Sequence, residues 1–120
     1  MTAALPVTVL RRAELFAAAL PALPGAARPG GARAAYRGLA TPHFRTNIVV
    51  VPGLQRSTPR ASEVDHVIMI LDGSIEVSVD GRAAALERWD QILVPARVDW
   101  EYRNPAEQEA TFVSVVSDPA

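Results

Sequence analysis

Few side chains in this chain could do chemistry, and their types narrow the choice. There are two histidines, His43 and His66, no cysteine and no lysine. This removes disulfides, thiol catalysis, thiolate metal sites, lysine Schiff bases and P-loop chemistry. A site of three histidines within one chain is likewise impossible. His66 is the best remaining group, because an imidazole titrates near neutral pH and one set in an apolar run suits proton transfer. Arg60 could fork onto a carboxylate, phosphate or enolate oxygen. Ser62 could add a hydrogen bond. Trp100 and Tyr102 offer flat apolar walls for a ring, Tyr102 with a phenolic hydroxyl as well. Each has a plainer reading: His66 as a satisfied core histidine, Arg60 and Ser62 as solvated loop residues, Trp100 and Tyr102 as core filling. His43, just after Pro42, reads as a loop histidine. There is no Gly-x-Ser-x-Gly elbow and no metalloprotease motif, so hydrolysis has no support.

The elements that must position these residues are β-strands. Phe44 to Val51 is rich in β-branched residues and stops at Pro52-Gly53. Val64 to Leu71 is mostly apolar and stops at Asp72-Gly73. Ile75 to Val79 alternates apolar and polar residues, and Asp80-Gly81 signals a hairpin. Ala83 to Leu86, Gln91 to Val94, Val98 to Arg103 and Thr111 to Val116 follow as short strands. Many short strands with Gly, Pro and Asp turns predict a sandwich or barrel. Strand parity places His66 on one face with Val64, Ile68 and Ile70, and Trp100 on one face with Val98 and Tyr102. Glu63, Asp65, Asp99 and Glu101 then point outward, as do Met69 and Leu71, which need cover from a second surface.

Before residue 42 the composition is rich in Ala, Pro, Gly and Arg. Val7 to Leu10 could form a short strand and Ala13 to Leu20 a short helix ended by Pro21. Residues 21–34 read as an irregular arm, either a lid or exchanged strand or a partly ordered extension. The expected division is an arm over 1–42 and a barrel over 43–120. The 120 residues suffice for one core, and the net charge of -1 gives no electrostatic case for nucleic acid or an anionic membrane. No apolar run approaches the ~18 residues of a spanning helix. The segment Arg11 to Leu20 only loosely imitates an export signal, since Glu14 interrupts it, so the cytoplasm is the expected location.

Two segments, His66-Val-Ile-Met-Ile-Leu-Asp-Gly73 and Trp89-Asp-Gln-Ile-Leu-Val-Pro95 followed by Trp100-Glu-Tyr-Arg-Asn104, resemble the two motifs of the cupin family. With Gly73 as the glycine of the first motif, His66 takes its glutamate position and Arg60 and Ser62 its two histidine positions. In the second motif Trp89 replaces a glycine, Pro95 is in place, Trp100 replaces a histidine and Asn104 matches the asparagine. Pro52-Gly53 and Asp80-Gly81 fall where cupins turn. The resemblance covers roughly residues 44–117. It implies an all-β fold, a double-stranded β-helix or jelly-roll barrel with a short helical or irregular N-terminal arm, and dimerisation through sheet edges or exchanged strands.

It also implies that Arg60, Ser62, His66 and Trp100 stand where cupins carry metal ligands. Only His66 is a good ligand type, so no metal and no other cofactor is expected. The expectation is a metal-independent acid/base enzyme, of isomerase, epimerase, cyclase or dehydratase type, acting on an oxygenated small molecule. His66 would transfer the proton, Arg60 and Tyr102 would orient the substrate, and Ser62, Trp100, Ile68 and Val98 would line its pocket. A non-catalytic binding or sensing module is the first alternative, and a metal-dependent cupin with divergent ligands the second.

Overall fold

Turn chemistry sets the strand order along the chain. The computed structural model describes residues 8–17 and 34–117, which form a helix α1 (Arg12–Ala17) and strands β1 (Ala34–Ala40), β2 (Phe44–Val51), β3 (His66–Asp72), β4 (Ile75–Val79), β5 (Arg82–Leu86), β6 (Gln91–Val94), β7 (Trp100–Arg103) and β8 (Ala110–Ser117). Asp80 and Gly81 both take positive φ, 52° and 77°, the backbone a two-residue β4–β5 hairpin requires. Gly73 turns β3 into β4 at φ 75°. Trp89, where the cupin motif has glycine, holds a φ of 76° that is strained for a bulky side chain. The Asp90 carboxylate supports that turn by accepting the Glu87 N–H at 2.8 Å.

The strands make two antiparallel sheets, a five-stranded one ordered β1-β2-β8-β3-β6 and a three-stranded one ordered β5-β4-β7. The smaller sheet is extended by residues 55–60, which run beside β7: Arg60 and Trp100 exchange backbone hydrogen bonds of 3.0 and 2.8 Å. The facing sides bury Val49, Val51, Ile68, Ile70, Ile75, Val77, Leu86 and Phe112 in one core. This is the all-β, cupin-like barrel expected from the sequence, with nearly the same strand bounds.

Asn104 ties the lower loops together. It is fully buried, and its amide donates to the carbonyls of Val51, Pro52 and Gln108 while its Oδ1 accepts the Ala106 N–H. Gly53 fits the same junction, since a Cβ there would overlap the Glu107 backbone. The motif asparagine and the Pro-Gly turn are thus two halves of one clasp.

The region expected to be an arm departs from expectation in part. Ala34 to Ala40 is a strand that pairs antiparallel with β2 of the same chain. Its Ala- and Gly-rich sequence carries little strand signal, and the edge of β2 supplies the hydrogen bonds that order it. Helix α1 starts one residue before the expected segment and overlaps it through Ala17, resting Phe16 edge-on against Tyr36 at 4.7 Å. Residues 8–10 are not a strand. Val7, residues 18–20 of the expected helix and residues 21–33 of the expected arm lie outside the described residues.

Candidate functional site

One end of the barrel opens into a cavity of about 400 Å³. Arg60, Ser62, His66 and Trp100, which sequence placed at four scattered motif positions, all line it. Strand register explains how. His66 lies opposite Val116 of β8 and Val94 of β6, at the mouth end of β3. Trp100 starts β7 across from it, and Arg60 pairs with Trp100 on the same wall. The His66 and Trp100 rings meet edge-to-face at 4.7 Å, and the Arg60 guanidinium carbon stands 4.9 Å from the Trp100 ring centre.

The rim is stitched by short loop contacts. The Arg97 N–H donates to the Ser62 carbonyl at 2.6 Å, and the Ala96 N–H to the Asp65 carboxylate at 2.7 Å. Glu63 stands opposite Arg97, 3.9 Å away, with both side chains exposed, a contact worth little in energy. Glu63 nevertheless lines the mouth, although its parity predicted an outward direction; it precedes the regular strand, where alternation no longer governs.

Tyr102, Ile68 and Val98 do not line the cavity. Tyr102 is 2% exposed and lies beneath Trp100, its ring centre 5.9 Å from that of Trp100 and 5.1 Å from that of Phe112. Ile68 is fully buried one row below His66. Val98 sits in the loop before β7, half-buried. Parity gives the correct side of the sheet for Tyr102 and Ile68 but not the depth along the barrel axis. His43 is in an exposed turn, its N–H bonded to the Thr41 hydroxyl. Arg45, Asn47 and Ser114 line the cavity as well. A signal for them existed: they are polar residues at the inward parity of strands that otherwise bury Val49, Val51, Phe112 and Val116.

Three buried polar atoms face no hydrogen-bonding partner among the described residues: His66 Nδ1, His66 Nε2 and Trp100 Nε1. Such orphaned groups cost about 1–3 kcal/mol each, and all three lie on residues that line the cavity. Burial pushes the His66 pKa down to about 4, with the positive charge of Arg60 adding to the effect and the Val64 backbone and Asp65 opposing it. His66 is therefore a neutral imidazole at physiological pH. Burial also lowers the Arg60 pKa, which still leaves an arginine charged.

The residues do not fit the metal of a typical cupin. Arg60, Ser62 and Trp100 occupy three of the four ligand positions, and a guanidinium beside His66 repels a cation. Among the described residues no three His, Cys, Asp or Glu side chains cluster as a metal site.

A family model described as a cupin domain matches residues 47–116, more than half of the chain, and the protein belongs to that family. No curated protein matches it in sequence. Among solved structures, the polyketide cyclase RemF from Streptomyces resistomycificus superposes with a TM-score of 0.77 at 18% identity, over 93% of this chain and 80% of that one. KdgF from Halomonas sp. gives 0.71 at 16% identity, over 86% and 87%. The cupin-2 domain protein Rru_A2000 from Rhodospirillum rubrum gives 0.67 at 19% identity, over 79% and 71%. At these identities the likeness concerns the fold.

Proposed function

We propose that the barrel mouth binds an oxygenated small molecule and that the protein acts on it by metal-independent proton transfer. The observation that carries this reading is the trio of partnerless buried nitrogens on His66 and Trp100, all on residues that line the cavity. A neutral imidazole that meets a substrate can take a proton from carbon or oxygen at its one unprotonated nitrogen. Arg60, beside Trp100, can hold the oxygen on which negative charge develops. In such a step a substrate C–H bond breaks, the proton passes to His66, and the electron pair becomes an enolate facing Arg60. Return of the proton to a different atom gives isomerisation or epimerisation, and attack of the enolate within the same molecule gives cyclisation. The polyketide cyclase among the structural neighbours is in keeping with ring-forming chemistry, although the shared fold alone carries no substrate. Tyr102, expected to orient the substrate, serves in this reading as the support under Trp100.

Proton transfer can be read without knowing the product. Small keto acids and phenolic ketones incubated with the protein in D₂O should gain deuterium next to the carbonyl. His66→Ala should abolish the exchange while the circular dichroism stays unchanged. Exchange at the full rate in His66→Ala would sink the proposal, as would one equivalent of iron, manganese, nickel or zinc in protein purified without a tag.

A second reading, a non-catalytic binding or sensing protein, is favoured by one observation. The His66 pKa of about 4 is well below the working pH of an efficient acid/base group. Tight binding with no exchange on any bound compound would select it.

A further inference from the structure

We propose that Asn47 and Ser114 form a second polar subsite in the cavity, which takes an uncharged hydroxyl of the ligand across a flat ring from the oxygen-bearing end that meets His66. The proposal rests on the small-molecule site argued above and narrows its substrate to a class: an unsaturated ring ketone with a second, remote hydroxyl.

Strand register brings the pair together. Three inward rows descend from the mouth along the larger sheet. The first joins Arg45, Val116 and His66, the second Asn47, Ser114 and Ile68, and the third Val49, Phe112 and Ile70. Val49 and Phe112, both nearly fully buried, make the apolar floor of the cavity. Asn47 and Ser114 face each other directly above that floor, from the neighbouring strands β2 and β8.

Neither residue suits its place on structural grounds. Ser114 is 8% exposed and stands between Phe112 and Val116 on the inward side of β8. Asn47 is half-buried, and asparagine is depleted in strands. A buried hydroxyl or amide costs free energy unless it is hydrogen-bonded. Among the described residues, neither side chain makes a hydrogen bond to the protein. Asn104 shows what a structural amide does here, with four hydrogen bonds inside the fold. The Asn47 amide and the Ser114 hydroxyl are instead turned to the cavity.

Their chemistry selects the group they take. Both are neutral, and each can donate and accept. A ligand hydroxyl can donate to the Asn47 carbonyl oxygen while accepting from the Ser114 hydroxyl. An ether oxygen only accepts, so it leaves one of the two residues unpaired.

Their position sets where on the ligand that hydroxyl stands. Ser114 is the diagonal neighbour of His66, roughly 7–8 Å away between Cα atoms, and Asn47 is one strand further. Two oxygens on adjacent ring atoms do not span that gap, and two on opposite edges of a fused ring do. The cavity of about 400 Å³ is at the small end of the ~300–1,000 Å³ range for drug-sized ligands, which suits one or two fused rings. Trp100 gives such a ring a flat wall.

Four ketones test this by calorimetry at pH 6, where the phenols are uncharged: 1-tetralone, 5-hydroxy-1-tetralone, 5-methoxy-1-tetralone and 8-hydroxy-1-tetralone. The 5-hydroxy compound carries its hydroxyl on the edge opposite the ketone and should bind at least about tenfold tighter than the other three, a factor that corresponds to ~1.4 kcal/mol. In Ser114→Ala and in Asn47→Val the ratio of 5-hydroxy to parent affinity should fall to near one. Without ligand, both variants should unfold at no lower temperature than the native chain, because an unspent polar group leaves an apolar setting. Equal binding of the four by the native chain would overturn the subsite, as would a ratio that survives both substitutions. A fall of more than about 4 °C in the unfolding temperature of both variants would also overturn it, by showing that the side chains serve the fold. Deuterium exchange next to the ketone separates this from the proposed proton transfer. Exchange that needs His66, with no preference for the 5-hydroxy compound, removes the subsite alone. The predicted preference with exchange unchanged in His66→Ala removes the proton transfer alone. No binding of any of the four at millimolar concentration would overturn both.

Discussion

His66 is placed where water cannot satisfy it, and this links the residue to the stability of the fold. Its pKa is about 4 folded against an ordinary 6.5, so between these values the unfolded chain holds more protons than the folded one. Stability from this group is therefore fully present above about pH 6.5 and is lost as pH falls through 4, by roughly 3 kcal/mol. Urea unfolding measured from pH 7 to pH 4 should show that loss, and His66→Gln should flatten it. A slope unchanged by the substitution would mean that the imidazole is already solvated. The residue stood out in the sequence because histidine is scarce and His66 interrupts an apolar strand. Arg45 was legible only as an inward-parity residue of β2, not in its level beside His66. Its position depends on pairing with β8, some seventy residues away, and parity within one strand does not supply that register. The same gap explains Tyr102 and Ile68, assigned the right side and the wrong depth.

At the scale of elements, the turns were the most legible part of the fold. Pro52-Gly53, Gly73 and Asp80-Gly81 mark turns because only certain residue types tolerate their backbones or their close approaches. Strand β1 was hidden for the opposite reason. Its residues lack strand propensity, and its order comes from its partner. Asn104 shows how one side chain can hold several elements. Asn104→Ala would leave the carbonyls of Val51, Pro52 and Gln108 short of a donor and the Ala106 N–H short of an acceptor. A loss of about 3 kcal/mol is expected, read as a lower midpoint in denaturant unfolding. A change below 1 kcal/mol would show that the clasp is held by the loop backbones alone.

At the scale of the whole molecule, the outer face of the larger sheet stands out. Leu93, Val115 and Phe44 are exposed there, and Val67, Met69 and Val113 only half-buried. The rows Leu93–Val67–Val115–Thr46 and Gln91–Met69–Val113–Ile48–Tyr36 contain no charge. A surface of this kind does not repel its own copy, and we propose it as the face of the homodimer expected from the sequence. Sedimentation should give a dimer for the native chain and a monomer for Val115→Glu. A native monomer at high concentration would remove the proposal. Among the described residues no helix is long and apolar enough to cross a membrane.

The two tryptophans differ sharply in surroundings: Trp100 is 5% exposed at the cavity wall and Trp89 60% exposed in a turn. The chain therefore carries its own optical reporter pair. The short-wavelength part of its fluorescence belongs to the cavity indole, which touches His66, and the long-wavelength part to an indole in water. A compound entering the mouth would alter the first and spare the second, so the colour of the emission alone could tell a cavity ligand from one bound elsewhere.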